Sequence, residues 1–467
     1  MKGFVPTPPA IVDLMSRKLF SAMPPGRHHS LLDPGCGTGV FLDGVIRWCK
    51  RRGVAPPRLT GIELNPAFAA PLQRERHGRD GVRILHADFL GRPLGKFDYI
   101  LGNPPYVSIC GLSEREKARF RSRFQTARGR FDLYLLFFER ALESLAPDGR
   151  LVFITPEKFT YVATAAPLRR LLARVQVEEI HLIGESTFEG LVTYPAITTL
   201  RNRPPEAPTR ILLRDGSRRS VTLPTDGSSW LPAMNGYTGP TPRWSLADAC
   251  VRVSCGVATG ADSVFVLRDG DLPEELRPFA HPTIAGRDLS VGDPPPGRVG
   301  RSMLIPYHRD GRLREEAELG PLATYLRHPG RRAKLLGRTC VARKPWYSFH
   351  ENPPLRDLLR PKLLCKDIGS RPVFFVDEHG DLVPRHSVYY IVPRNAGHLH
   401  ALAAYLNSPP ARAWLGDHCQ RAANGFLRLQ SSVLKLLPVP DRFVELPGRG
   451  TADRRVHPRP ASRDATR

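Results

Sequence analysis

The stretch Leu31-Leu32-Asp33-Pro34-Gly35-Cys36-Gly37-Thr38-Gly39 sets the fold of the first half of the chain. The leucines before Asp33 read as a buried strand, the alternating glycines as a tight turn, and Val40 to about Arg52 as the helix that follows. Glycine tolerates positive φ and close backbone approach, so Gly35, Gly37 and Gly39 let a ligand lie against the main chain at a helix N-terminus. Such a loop is a weak signal alone, and the strands after it strengthen it. Leu59 to Ile62 ends in Glu63, an acid about twenty positions past the loop, which suits ribose hydroxyls. Val82 to Leu85 leads to Asp88, an acceptor for an adenine amino group, and Phe89, a ring to pack on its face. Ligands of open parallel sheets bind beyond the carboxyl ends of the strands, so Asp33, Glu63, Asp88 and Asn103 are expected along one edge. The predicted class is α/β.

A fourth strand, Phe97 to Gly102, runs into Asn103-Pro104-Pro105-Tyr106. The two prolines hold an extended turn that cannot enter a helix, so the Asn103 amide and the Pro104 carbonyl can face one pocket as acceptors for an NH2 group. Tyr106 offers a face on which a flat group can stack. The plain alternative is a Pro-rich turn that only ends a strand. The glycine loop has no Lys and Ser/Thr after it, which argues against a triphosphate. A dinucleotide dehydrogenase would leave the Asn-Pro-Pro-Tyr turn without a purpose, whereas S-adenosylmethionine as methyl donor accounts for both.

With these motifs in this order, the chain resembles the N6-adenine DNA methyltransferases of the TaqI-like, gamma-ordered class of restriction-modification methylases. The resemblance begins at Gly3-Phe4-Val5-Pro6-Thr7-Pro8-Pro9, similar to the segment that covers the methionine end of the cofactor, with Thr7 as its contact. Phe131 to Phe137 resembles the helix whose last aromatic flanks the cofactor adenine, which implies that role for Phe137; core packing is the alternative. Gly184-Glu185-Ser186-Thr187-Phe188 resembles the segment whose aromatic packs on the target base, which sets Phe188 opposite Tyr106, or else makes it a buried strand-end ring. The resemblance implies a Rossmann-like methyltransferase domain with a mixed seven-stranded sheet, followed by an α+β target-recognition domain. Cofactor contacts are then Thr7, Asp33, Gly35, Gly37, Glu63, Asp88, Phe89 and Phe137, and the catalytic set is Asn103, Pro104, Pro105, Tyr106 and Phe188. The implied reaction is direct displacement: acceptors hold the amino N–H groups while the nitrogen turns tetrahedral, with no covalent enzyme intermediate and no metal. A base paired in a duplex must be flipped out, at a cost of about a few kcal/mol offset by stacking on the aromatics.

A chain of 467 residues suggests two or three domains. The expected division is 1–225 for the methyltransferase, 226–243 for a linker, 244–440 for target recognition and 441–467 for a disordered basic tail. The net charge of +24 and pI of about 10.2 favour a polyanionic partner, here double-stranded DNA held in a cleft between domains that both contact phosphates. The alternative source of that charge is genome composition, since Arg greatly outnumbers Lys, but such a preference changes the type of cation and not the net sign. Arg287, Arg343, Lys344, Arg371 and Arg428 are candidate contacts of the second domain, to phosphate or solvent more than to bases. Residues 113–130 carry many Arg among Glu, Phe and Gln, either a segment that orders over DNA or a solvated helix of alternating charge. The eight cysteines include no Cys-x-x-Cys pair, the histidines are scattered, and no zinc framework is expected. No run of about eighteen apolar residues is present, so neither a membrane span nor a signal peptide is predicted. The expected setting is the bacterial cytoplasm, with the protein a monomer that can pair with a separately encoded restriction endonuclease. Two other substrates fit the same turn: an RNA base, and a protein glutamine amide as in release-factor methyltransferases, which however carry a helical domain before the glycine loop.

Overall fold

The computed structural model describes residues 5–76, 78, 81–91, 95–184, 187–188, 194–239, 242–289, 300–421 and 426–444. Gly3, Phe4, Glu185, Ser186, Pro240, Thr241 and the expected tail from 445 onward lie outside the described residues. The chain folds as two units, residues 1–239 and 240–467.

The first unit is built on one nine-stranded sheet. β1 (Ser30–Asp33), β2 (Arg58–Glu63), β3 (Val82–His86), β4 (Phe97–Gly102) and β5 (Leu145–Pro156) run parallel in the order β3-β2-β1-β4-β5. β6 (Gln176–Leu182) and β7 (Pro195–Arg201) follow with β7 between β5 and β6 and antiparallel to both, which makes the sheet mixed. The chain fills the positions on one side of β1 and then returns to its other side at β4. The carboxyl ends of β1 and β4 therefore form a topological switch point, where ligands of such sheets bind. Seven strands were expected; β8 (Thr209–Leu212) pairs parallel with β6 and closes a hairpin with β9 (Arg218–Val221), bringing the sheet to nine.

Alternation along the strands sends neighbouring side chains to opposite faces. Leu31, Tyr99 and Leu101 pack with Val12, Met15 and Trp48 of α1 (Pro9–Leu19) and α2 (Val40–Arg52). Leu32, Ile100 and Phe153 pack on the other face with Leu135 and Phe138 of the helix Leu133–Ser144. α2 begins after Gly39 at φ 83° and stops at Gly53 at φ 64°, with Lys50, Arg51 and Arg52 in its last turn, where cations suit the helix dipole. Among the described residues the further α-helices of this unit are α3 (Pro66–Arg76), α4 (Glu114–Arg123), α5 (Leu133–Ser144), α6 (Ala166–Leu172) and α7 (Leu231–Asn235).

The stretch expected as a linker from 226 is folded into this unit up to Gly239. Trp230 is fully buried in the α5-side core, and the Arg169 guanidinium, itself buried, donates to the carbonyls of Gly227 and Ser228. Residues 201–229, rich in Pro, Gly, Ser and Asp, read in the sequence as a strand-containing excursion followed by a linker; from 226 on, one buried indole and one buried guanidinium override that reading.

The second unit is α+β. Strands Cys250–Cys255, Val388–Pro393, Lys362–Lys366 and Phe375–Asp377 make one antiparallel sheet. Among the described residues it also holds a second four-stranded sheet and a small three-stranded one, with short helices between. Its core gathers Phe265, Tyr307, Phe349 and Tyr390, and Lys362 and Asp377 form a fully buried ion pair.

Candidate active site

The strand ends of β1, β2, β3 and β4 open onto a cavity of about 420 Å³ in the first unit. That volume is in the range of small-molecule sites. Thr7, Gly35, Gly37, Glu63, Asp88, Phe89, Asn103, Pro105 and Phe137 line it. Asp33, Pro104, Tyr106 and Phe188 do not.

Asn103 is tied in place from the N-terminal side. Its Nδ2 donates to the Val5 carbonyl at 3.1 Å and to Thr7 Oγ1 at 3.1 Å. A carbonyl can only accept, so the nitrogen faces Val5 and the oxygen points the other way. Oδ1 is buried and has no hydrogen-bond partner. A buried acceptor left unmade is costly and needs a reason.

The acids behave differently from one another. Glu63 Oε2 accepts from the Gly37 amide at 2.8 Å and Oε1 from the Asn65 amide at 2.6 Å, so the carboxylate both shapes the glycine turn and faces the cavity. Asp88 Oδ1 caps the Leu90 amide at 2.9 Å, and Oδ2 accepts from Arg119 of α4 at 3.0 Å. Asp33 is wholly buried behind the turn; Oδ1 takes the Gly35 amide at 3.4 Å and Oδ2 has no partner. Burial raises its pKa to about 8, against the lowering effect of the Gly35 amide, and the nearby Glu63 charge adds to the rise. Asp33 was expected at the cofactor itself, and the structure sets it behind the loop instead.

Two aromatic groups stand at the site. Phe89 and Phe137 have ring centroids 5.2 Å apart at 43° and both face the cavity. Tyr106 and Phe188 meet nearly perpendicular at 6.5 Å and 87°, and Tyr134 approaches Tyr106 at 6.5 Å and 75°. The Tyr106 hydroxyl donates to the Ile154 carbonyl at 3.4 Å, and burial pushes its pKa up, so it stays a neutral phenol.

Comparison with known proteins gives this geometry a family. Residues 82–188 match the Eco57I restriction-modification methylase family, and residues 330–439 match the TaqI-like C-terminal specificity domain. The type II methyltransferase M.XhoI of Xanthomonas vasicola is 30% identical over 76% of this chain and 71% of its own length. The chain belongs to the type II restriction-modification DNA methyltransferases. M.PaeR7I of Pseudomonas aeruginosa, another type II methyltransferase, is 29% identical over 89% of this chain and 82% of its own length. Among solved structures, the type IIL restriction-modification enzyme MmeI in complex with DNA matches with a TM-score of 0.61 at 14% identity, over 91% of this chain and 64% of that one. At that identity the likeness speaks for the fold.

Methyltransferases of this family act on DNA with S-adenosylmethionine as donor. The cavity suits that cofactor: two carboxylates for hydroxyl and amino donors, two phenyl rings for an adenine, and a glycine turn that leaves the backbone open. Among the described residues no cluster of three or more His, Cys, Asp or Glu could hold a metal ion, and no helix is long and apolar enough to cross a membrane.

Several lining residues were not read from the sequence. Leu64, Asn65 and Phe68 follow Glu63 and form one wall; Val107 and Leu112 follow the Asn-Pro-Pro-Tyr turn; Glu116, Arg119 and Phe120 come from α4. An acid at a strand end was the available signal for the first group. Nothing local in the sequence marks Arg119 as the partner of Asp88. In the second unit, the half-buried Lys344 donates to the His350 carbonyl at 3.0 Å and to Asn352 Oδ1 at 3.1 Å, while Arg371 and Arg428 stay exposed.

Proposed function

We propose that this methyltransferase is adenine-specific, moving a methyl group from S-adenosylmethionine to the N6 amino group of an adenine flipped out of duplex DNA. The observation that carries the reading is the buried, partnerless Oδ1 of Asn103, held beside the cavity by the bonds of Nδ2 to Val5 and Thr7. Asn103 Oδ1 accepts one N–H of the target amine. An exocyclic amine is a poor nucleophile while its lone pair is conjugated into the ring, and an acceptor aimed at its N–H favours the tetrahedral nitrogen of the transition state. When bound, S-adenosylmethionine supplies an electrophilic methyl group on a sulfonium. Thr7, Gly35, Gly37, Glu63, Asp88, Phe89 and Phe137 would hold it, with Asp33 supporting the glycine turn from behind. Tyr106 and Phe188 receive the base, one on a ring face and the other on a ring edge, as their perpendicular planes suggest. Pro104 and Pro105 fix the turn, and the second unit reads the target sequence. The setting is a modification enzyme in the bacterial cytoplasm, paired with a separate endonuclease or solitary.

The test is Asn103→Ala. Loss of a transition-state acceptor is expected to lower turnover by about 10² to 10³. Unchanged turnover would remove the assignment. Cofactor affinity in the same variant reports the second job of Asn103, anchoring Val5 and Thr7, and should fall much less than turnover.

A further inference from the structure

The segment 113–130 is a defined element of this fold. Val107 and Leu133 are joined by a backbone hydrogen bond of 2.9 Å, Ile109 and Phe131 by one of 3.0 Å, and Ser108 pairs with Asp132. The segment is thus an excursion whose two ends close on each other one residue after Tyr106. Its inner side is anchored: Phe120, Phe124 and Ala127 are buried, and Glu139 accepts from the Gln125 and Thr126 amides and the Thr126 hydroxyl.

Its exposed side is rich in cations, only some of which are paired. Arg115, Arg119 and Arg123 recur every fourth residue and line one side of α4, and Arg128 and Arg130 follow in the loop. The acids of the helix are committed elsewhere, Glu114 to Lys117 at 2.7 Å and Glu116 to the capping box on Ser113. Arg119 pairs with Asp88, whereas the exposed Arg115, Arg123, Arg128 and Arg130 have no acidic partner among the described residues. A solvated helix of alternating charge would pair its cations. Here like charges stack at four-residue spacing, and Arg115 sits in the first turn, where the helix dipole disfavours a cation.

We infer that α4 and the loop after it form a contact surface for the phosphate backbone of duplex DNA, set beside the catalytic turn by the closed neck at Ser108 and Asp132. Four exposed guanidiniums without an acidic partner among the described residues, on a base anchored by the buried Phe120 and Phe124, are suited to pair with the phosphate oxygens of a polyanion. The inference rests on the DNA methyltransferase reading above and adds the surface to it.

The test compares Arg115→Gln/Arg123→Gln with a control, Arg52→Gln/Arg58→Gln, in the full-length protein. Arg52 ends α2 and Arg58 starts β2, so both lie at the opposite end of the parallel strands. Binding to a duplex oligonucleotide is measured from low to moderate salt, and S-adenosylmethionine binding and thermal unfolding serve as checks of the fold. The plot of log affinity against log salt should become shallower by about 1.8 in the test variant, about 0.9 for each lost phosphate contact. The loss should be the same on unrelated duplex sequences, with cofactor affinity unchanged. A slope and affinity equal to those of wild type or the control would overturn the inference while leaving the enzymatic reading intact. Wild-type protein that binds single-stranded or structured RNA but no duplex DNA would overturn both.

Discussion

Asn103 and Thr7 are 96 positions apart in the chain and share a 3.1 Å hydrogen bond from the Asn103 amide nitrogen to the Thr7 hydroxyl. The bond links the turn after β4 to the segment before α1, and the neighbouring bond to the Val5 carbonyl decides which way the Asn103 amide points. The side chain proposed to hold the target amine and the residue proposed to touch the cofactor are therefore one mechanical unit.

Thr7→Val tests that link without removing the acceptor. Loss of one hydrogen bond of ordinary strength, about 0.5 to 1.5 kcal/mol, predicts a two- to tenfold fall in kcat/KM. Asn103→Ala should cost far more, and steady-state kinetics on both variants separate orientation from acceptance. Equal losses would mean that Asn103 only fastens the N-terminal segment.

Asp33 predicts a pH dependence of stability. Its folded pKa, about 8, is raised above the ordinary 3.8. The folded state then holds a proton that the unfolded chain has released, so the stabilisation is complete below about pH 3.8, declines as pH rises and is lost by about pH 8. Asp33→Asn should flatten the part of the Tm profile that falls between these limits. An unaltered profile would show that Asp33 is ionised in the fold.

Arg119 and Asp88 predict an order of effects on cofactor affinity. Their ion pair is part-exposed, with side-chain exposures of 44% and 27%, so by itself it is worth about 0 to 1 kcal/mol. Arg119→Ala should weaken S-adenosylmethionine binding up to about fivefold, and Asp88→Ala by tenfold or more, since Asp88 also caps Leu90. Calorimetric titration distinguishes them, and the reverse order would contradict the role assigned to Asp88.

Gly44 predicts a packing effect opposed to helix propensity. It lies inside α2, where Ala is the better helix former, yet a Cβ there would collide with Val12 Cγ1 of α1. Gly44→Ala should destabilise by about 1 to 3 kcal/mol through overpacking. Adding Val12→Ala should recover part of it, and denaturant titration of the two variants and their combination measures the coupling.

Much of this was legible in the chain. β4 covers Phe97–Gly102 and α2 covers Val40–Arg52 as the apolar runs and flanking glycines predict, because local signals and tertiary packing agree there. The convergence of Glu63, Asp88 and Asn103 followed from parallel strand order alone. Trp230 and α7 were not legible, since a long-range burial outweighed a loop-like composition. Residues 201–229 could be read as containing strands, but not that β8 and β9 form the edge of the main sheet, because pairing to β6 is set by the fold around it. The inward placing of Asp33 also escaped the sequence: a carboxylate at a strand end reads as a ligand contact, and only the three-dimensional turn shows it covered.

The most direct measurement is transfer of labelled methyl groups from S-adenosylmethionine to duplex DNA, with nucleoside mass spectrometry of the digest and ribosomal RNA and release factor as parallel substrates. N6-methyladenine in the DNA alone is the expected result. N4-methylcytosine in the DNA, or label in RNA or protein with the DNA blank, would contradict the assignment of the Asn103 acceptor to adenine.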